Sequence, residues 1–511
     1  MRPGLVDRAW HLLTTALQMY RDDPGTTDWL HHQIDRFEGP LRIAVAGPAR
    51  SGRSMLINAL VGDEIAPVEL GAAGQPFTWY QDGPIPRATL YESDGSEREL
   101  PVTRLERGLR VEAPGWLAPE PELREIVVDW PARALRHAVL IDTAAADPDG
   151  TTMARVRAEA DAVLYATPSV ADPDLRPLRP DPASQLCPGA TVDTILVLSR
   201  ADEVGGSRID ALSSARLIAR RRDRGVAVRG RWQTVVAVSG LLAHAARRLS
   251  EPEYAALAAL ADTAGRDLAE YLLSVDRFTG PRFPVPLGQQ TRTALLDRLG
   301  LFGVRLATTL IRTGSASHSA LSGQLLQHSG LTDLRDAISE LFVNRRHLLK
   351  ARSALRALRS VAQTRPHPDA ERLCADIEHA MASGHELREL ALLASLRSGR
   401  TRLPADQGEE ARRVIGGYGS DIATRLGIRE DCDHRQVWAL TEQTLRRWRK
   451  ESENPAFTQD QRRAARTVVR SCEGLLTELA QAYDGPGTAA PESSAAVTNG
   501  RATTHLPTRP T

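Results

Sequence analysis

The chain has 511 residues, with 65 basic and 64 acidic side chains and a net charge of +1. At about 100–200 residues per domain, that length calls for two or three domains. The charge balance excludes a polybasic nucleic-acid binder and an acidic solvating chain, while 42% apolar and 25% charged residues are globular values that allow a sizeable core. Only Lys350 and Lys450 are lysines, which leaves 63 arginines.

Residues 1 to about 38 read as two short helices separated at Asp22-Asp23-Pro24-Gly25. Leu5, Ala9, Leu12, Leu13, Ala16 and Leu17 recur at helical spacing, with Asp7, Arg8 and His11 between them. A signal peptide would carry a continuous apolar run instead. From about 39 to 315, β runs alternate with helical patterns. The β runs are Leu41–Ala46, Phe77 to Tyr80, Arg87 to Tyr91, Glu125 to Asp129, Ala138 to Ile141, Ala162 to Ala166, Thr194 to Ser199 and Thr234 to Val238. Helical patterns such as Ser54–Val61 and Ile209–Arg221 lie between them, so a mostly parallel α/β sheet is predicted. From about 320 the β signal vanishes. Leu331, Leu334, Ile338, Leu341, Leu348, Leu355, Leu358 and Val361 predict a single helix of roughly 30 residues, about 45 Å long. Helical patterns at Leu373–Met381, Leu387–Leu396, Val437–Trp448 and Ala464–Tyr483 complete a predicted α-helical bundle. The Gly/Pro/Ala/Ser/Thr-rich stretch 485–511 has no apolar period and is expected to be disordered. The expected organisation is therefore 1–38 joining the bundle, 39–315 as the α/β domain, 316–484 as the bundle and 485–511 as a tail.

No apolar, uncharged window reaches the roughly 18–20 residues of a transmembrane helix, so any membrane contact would be peripheral. Cys187, Cys374, Cys432 and Cys472 are far apart with no C-x-x-C pair. A reducing cytoplasm fits that spacing better than a disulfide framework or zinc ribbon.

The strand Leu41–Ala46 is followed by Gly47-Pro-Ala-Arg50-Ser51-Gly52-Arg53-Ser54 and then a helix. This is G-x-x-x-x-G-K-S with Arg for Lys. Such a loop wraps phosphate with backbone N–H groups, and the helix N-terminus adds partial positive charge. Ser54 stands where a hydroxyl would ligate Mg²⁺. Three later segments follow in the order a guanine-nucleotide fold requires. Asp142 ends an apolar strand, placed to hold the metal through water. Ser199-Arg200-Ala-Asp202 follows a buried strand and resembles a base-reading N/T-K-x-D motif. There Asp202 would accept guanine N1–H and N2–H while Arg200 lies along the base. Ser239-Gly240 ends another strand, and the Ser239 N–H would meet guanine O6. Taken alone, each of these segments is as readily a Gly-rich turn, a strand-end cap or a surface loop.

These residues resemble the dynamin superfamily of large GTPases. Within it, Ser199-Arg-Ala-Asp-Glu-Val, Arg208-Ile-Asp-Ala, Val238-Ser-Gly-Leu-Leu-Ala, Leu272-Leu-Ser-Val-Asp-Arg-Phe and Ser329-Gly-Leu are similar to the isoniazid-inducible protein C branch of actinobacterial dynamin-like proteins. The resemblance runs from about residue 5 to 480. It implies an α/β P-loop GTPase domain on a helical stalk built from both chain ends. It also implies GTP/GDP and Mg²⁺ as ligands, and cytoplasmic work at the inner face of the membrane. The partners it implies are a sister dynamin-like protein and a second copy meeting through the GTPase heads, with no nucleic acid.

Three departures weaken hydrolysis. Arg53 replaces the compact ammonium of lysine with a wide planar fork. The switch threonine of relatives aligns near Ala73-Gly74, where no hydroxyl exists, and Thr78 reads as a strand residue. D-x-x-G becomes Asp142-Thr-Ala-Ala145, and alanine restricts the backbone where glycine would place its N–H on the γ-phosphate. Asp147-Pro-Asp-Gly150 restores the letters too late along the chain. Arg53 and Ala145 are thus the altered catalytic positions. Arginine enrichment alone could explain Arg53, but it explains neither Gly74 nor Ala145. Two readings follow: a nucleotide-hydrolysing enzyme of membrane or cell-envelope maintenance, and a non-hydrolysing scaffold that pairs with an intact sister GTPase.

Other segments carry weaker signals. Leu299–Ile311 reads as a core helix before a membrane-inserting one, because Arg305 and two threonines interrupt it. Asp431-Cys432-Asp433-His434 reads as a helix cap before a metal site. The runs Arg220-Arg-Arg-Asp-Arg and Arg446, Arg447, Arg449, Lys450 read as solvated faces before anionic-lipid contacts. His31-His32 reads as ordinary helix surface.

Overall fold

In a computed structural model the described residues are 4–66, 77–92, 94–105, 108–111, 123–146, 150–171, 174–178, 192–225, 231–263, 265–429 and 432–483. The tail, Cys187 and Ala73-Gly74 lie outside them, as do Asp147 to Asp149 and Asp431.

Eleven strands are present among these residues: β1 Leu41–Ala46, β2 Phe77–Asp82, β3 Arg87–Glu92, β4 Glu97–Leu100, β5 Val102–Leu105, β6 Gly108–Val111, β7 Leu123–Trp130, β8 Ala138–Asp142, β9 Ala162–Thr167, β10 Thr194–Leu198 and β11 Thr234–Ala237. Nine of them form one sheet in the order β11-β10-β9-β1-β8-β2-β7-β3-β4. The first five in that order are mutually parallel, and β2 then runs antiparallel to β8. This is the predicted mostly parallel α/β sheet, with an antiparallel extension at one side.

Alternation along the strands serves two cores. Ile43, Val45, Leu140, Leu164 and Val197 face one way, toward the helix Arg53–Val61. Ala44, Ala46, Val139, Ile141, Leu196 and Leu198 face the other way. The second face is covered by helices that include Ala211–Asp223, Glu251–Asp262 and Gln289–Arg312. Phe302, Val304, Ala307 and Leu310 of the last are buried, so the apolar run around them is a core helix. It breaks at Gly300, with φ +65°, and Arg305 ties it to the Ser207 and Leu272 carbonyls.

The first core does not stop at the sheet. It runs on through Leu5, Leu13 and Leu30 into Leu331, Leu348, Leu355, Leu390 and Trp448. Helix Leu5–Met19 packs on Arg346–Thr364 and Ala370–Ser383. Helix Pro24–Glu38, started by Asp23 accepting from the Thr26 N–H, packs on Arg346–Thr364. Buried polar staples cross the same boundary. Arg36 Nη2 meets Asp161 Oδ1 at 2.9 Å. Lys350 Nζ donates to Gly39 O at 2.7 Å. Asp193 is gripped by Arg352 and Arg356, which hold its carboxyl below the usual carboxylate range against burial that raises it.

One expectation changes, and three strands are new. The single long helix is two, Leu331–Leu341 and Arg346–Thr364, with a 3₁₀ turn at Val343–Arg345 between them. The seven-residue spacing from Leu341 to Leu348 suits a continuous helix. Phe342-Val343-Asn344 are weak helix formers, however, and Phe342 turns fully into the core. The strands β4, β5 and β6 carried no apolar alternation to find. Glu97-Arg-Glu-Leu is a charged edge strand, the usual protection of a sheet edge. Helices Ala405–Val414 and Ile422–Leu426 also join the bundle.

Candidate nucleotide site

β1 pairs with β8 on one side and β9 on the other, so the loop after it sits at the sheet's topological switch point. Open α/β sheets bind ligands at that crevice. The loops after β8, β10 and β11 leave the same carboxyl edge, because all these strands are parallel.

The loop 47–52 is built on backbone that only some residues tolerate. Gly47 has φ +152°, and a Cβ there would lie 2.0 Å from Ala166 O, so glycine is obligatory. Gly52 has φ +85° with open space around it. Arg50 adopts φ +58°, an uncommon left-handed conformation for a non-glycine residue. Ser51 is buried, and its Oγ has no protein partner. The helix Arg53–Val61 starts immediately, so its first N–H groups point back at the loop.

Arg53 is buried and folds onto its own loop. Its Nη1 donates to Gly47 O at 2.7 Å and Pro48 O at 2.8 Å, and its Nε lies 3.5 Å from Asp142 Oδ1. Much of the guanidinium is thus engaged in bracing the loop and neutralising Asp142. Ser54 Oγ donates to Asp142 Oδ2 at 2.7 Å, while Asp142 Oδ1 makes no hydrogen bond. Burial pushes the Asp142 carboxyl up, against the pull of Arg53 and Ser54.

After β8, the Ala146 N–H donates to Gly47 O at 2.9 Å, clamping this segment to the phosphate loop. Ala145 therefore lies beside the loop, and its carbonyl accepts from Thr152 Oγ1. Thr78 pairs in register with Asp142 across the β2–β8 ladder, so it is a strand residue as read from the sequence.

At the base end, Arg200 has φ +50° and its Nη1 meets Glu203 Oε1 at 2.8 Å, at the surface. Asp202 sits half-exposed on the turn Ala201–Glu203 with no protein partner among the described residues. The Ala201 N–H donates to Val238 O, joining that turn to the end of β11. Ser239 caps helix Gly240–Arg248 by accepting from the Leu242 N–H at 3.2 Å. Its own N–H donates to Ser329 O at 2.9 Å. That corrects the expectation that this N–H meets guanine O6: it is already spent inside the protein, and the Gly240 N–H is the next along the chain. Gly240 packs on Met55 and Leu56, which brings the base-reading and phosphate-binding segments together.

The residues fit the expected ligands. Asp142 Oδ1 is a buried acceptor without a hydrogen bond beside the Ser54 hydroxyl, a pair suited to a hydrated Mg²⁺. The glycine loop and helix N-terminus suit a polyphosphate, and the unpartnered Asp202 carboxylate suits the guanine edge. Among the described residues no cluster of His, Cys, Asp and Glu suits a metal, and Cys432-Asp433-His434 instead lead into helix His434–Ser452.

No family model matches the chain. It is 36% identical over 495 residues to the isoniazid-induced protein IniC of Mycobacterium tuberculosis strains CDC 1551 and H37Rv, covering 93% of this chain and 98% of the relative. The chain belongs to the IniC family. Among solved structures, one chain of an oligomerised bacterial dynamin pair is 13% identical, with a TM-score of 0.30, over 94% of this chain and 74% of its own. LeoA, a bacterial dynamin GTPase from ETEC, is 12% identical, with a TM-score of 0.22, over 97% and 82%. Scores at that level carry no functional weight.

The motif pattern left three supports of this IniC-family site without a role. Ser329 is fully buried, receives the Ser239 N–H, and its Oγ both donates to Leu326 O and accepts from the Leu331 N–H. Gly330 has φ +80°, and a Cβ there would lie 2.1 Å from Ala237 O. Arg335 Nη2 donates to Ala59 O and Leu60 O, capping the far end of the phosphate-loop helix. A Ser-Gly pair before an apolar helix signals the helix start, but nothing local in the sequence points Arg335 at residues 275 positions away.

Proposed function

We propose that this chain is a dynamin-like guanine-nucleotide-binding protein whose hydrolytic turnover is weak or lost. The carrying observation is the assembly along one sheet edge. Gly47–Ser54 lies at the switch point, Asp142 is bonded to Ser54, and the turn that carries Asp202 is tied to the β11 end through the Ala201 N–H. Gly47, Arg50, Ser51 and Gly52 would cradle the phosphates, and Ser54 with Asp142 would hold Mg²⁺. When bound, Mg²⁺ supplies charge neutralisation at the β- and γ-phosphate oxygens. Asp202 would discriminate guanine through two acceptor contacts, with Gly240 at the base edge.

Weak turnover follows from what the residues do. Phosphoryl transfer depends on positioned charge in the transition state. Arg53 spends two hydrogen bonds on its own loop and an ion pair on Asp142. Ala145 stands at the glycine position of the D-x-x-G motif that the GTPase resemblance implies. Losing one such transition-state contact costs about 10²–10³ in rate. That combination favours a scaffold role beside an intact sister protein over an independent motor. Following the motif resemblance, we place that role in membrane or envelope maintenance, with peripheral contact at the inner face of the membrane. Among the described residues no helix is long and apolar enough to cross a membrane. Phosphate release from the purified chain tests the reading: turnover above about 1 s⁻¹, within the ordinary enzyme range, would overturn it.

A further inference from the structure

A second site lies far along the chain from the nucleotide loop, where the start of β10 and the segment before β11 face the bundle. A cavity of about 720 Å³ opens there. Its walls carry six arginines and one carboxylate, Asp460. Asp193 holds Arg352, Glu473 holds Arg470, Ala382 O accepts from Arg388, and Gln233 O accepts from Arg400. Among the described residues the exposed guanidinium groups of Arg463 and Arg466 have neither a hydrogen bond nor an ion pair. With Arg470, which Glu473 neutralises, they form a cationic stripe at i, i+3 and i+7 on helix Gln459–Tyr483, where Asp460 is the one carboxylate of the cavity wall.

The floor of the cavity adds an independent observation. Gln233 is 1% exposed, and its Oε1 has no partner, although its Nε2 is held by Val192 O. Trp232 is as buried, and its Nε1–H is also unpaired. His385 Nδ1 is buried without a partner, while its Nε2 lies 3.0 Å from Ser471 Oγ. Buried polar atoms left unpaired are costly, and here acceptor and donor line one cavity. The remaining wall mixes apolar Met381, Leu387, Leu392 and Ala464 with the hydroxyl residues Ser395, Thr401 and Thr467.

We propose that this cleft binds a phosphate-bearing ligand with a hydroxylated, partly apolar body, anchored by Arg463 and Arg466 over Gln233. Arginine forks match phosphate oxygens, the unpaired Gln233 and Trp232 atoms suit ligand hydroxyls, and the volume exceeds that of a bare anion. A glycerophospholipid headgroup and a free phosphorylated polyol share this chemistry. The proposal does not rest on the nucleotide reading.

The test uses the full chain with GDP and Mg²⁺ present, so that the phosphate loop is not the reporter. Glycerol phosphate is titrated by calorimetry. Vesicles of phosphatidylglycerol in phosphatidylcholine are assayed by co-sedimentation. The doubly substituted Arg463→Gln/Arg466→Gln chain should lose at least tenfold in affinity, while Arg220→Gln/Arg221→Gln, on an exposed face elsewhere, should bind as the unaltered chain does. Loss confined to the soluble arm identifies a free phosphate compound, and loss in the vesicle arm identifies the lipid. Gln233→Leu, which keeps size and removes the acceptor, should weaken the same arm. The proposal is overturned if the unaltered chain binds neither probe, or if the Arg463/Arg466 variant binds both as tightly as the unaltered chain.

Discussion

Asp142 is the residue on which the metal and the loop meet. It accepts from Ser54, faces Arg53 at 3.5 Å and keeps one oxygen unbonded. Ser54→Ala should therefore abolish the Mg²⁺-dependent part of GDP affinity while leaving the fold intact, as read by nucleotide titration with and without EDTA. Arg53→Lys combined with Ala145→Gly should raise phosphate release by on the order of tenfold or more, since two weakened contacts are restored. No gain would mean that other positions limit turnover. A third residue speaks to stability. Burial pushes the Asp223 carboxyl up to about 6, although Thr234 Oγ1 donates to it at 2.9 Å. Its folded pKa lies above its unfolded one, so ionising it costs the folded state. Stability should fall as pH rises from about 4 to about 6, by up to about 3 kcal/mol, and stay level above that. Asp223→Asn should flatten that slope in urea titrations across the window.

Helix Leu331–Leu341 is the element that connects the site to the bundle. Its start is pinned to the base-reading segment by Ser329 and Gly330, and Arg335 caps the phosphate-loop helix one turn later. Gly330→Ala meets both a left-handed φ and the Ala237 carbonyl. It should destabilise the chain by at least about 1–3 kcal/mol, with nucleotide affinity falling in parallel, as thermal unfolding and titration would read. This element also marks the limit of legibility in the sequence. Its apolar spacing showed a helix, but the kink at Phe342 depends on burial that only tertiary packing decides. β1, β8 and β10 were read within a residue because buried parallel strands are continuous apolar runs. β4, β5 and β6 escaped because edge strands and exposed hairpins need not alternate. Gly47, Gly52 and Ser54 were legible because phosphate loops demand glycine at fixed spacing. The occupied N–H of Ser239 was not, since its acceptor lies 90 residues downstream.

Across the whole molecule, one apolar core runs from the sheet into the bundle, and arginines do most of the long-range stapling. Leu355→Ala, at a fully buried position in that shared core, should cost about 2–5 kcal/mol. If the core is one unit, head and bundle should also unfold in one transition, with Trp232 and Trp448 fluorescence changing together. The arginine excess takes on a different meaning at this scale. Arg53 belongs to a chain that uses guanidinium for nearly every buried cation, and its loop contacts show it bracing the site before touching any ligand. The chain should bind guanine nucleotide without appreciable turnover. Equilibrium titration of the full chain with fluorescent GDP and Mg²⁺ tests it most directly. Saturable binding displaced by GTP but not by ATP, and weakened at least tenfold by Asp202→Asn, is the predicted result. No binding, or displacement by ATP as readily as by GTP, would contradict it.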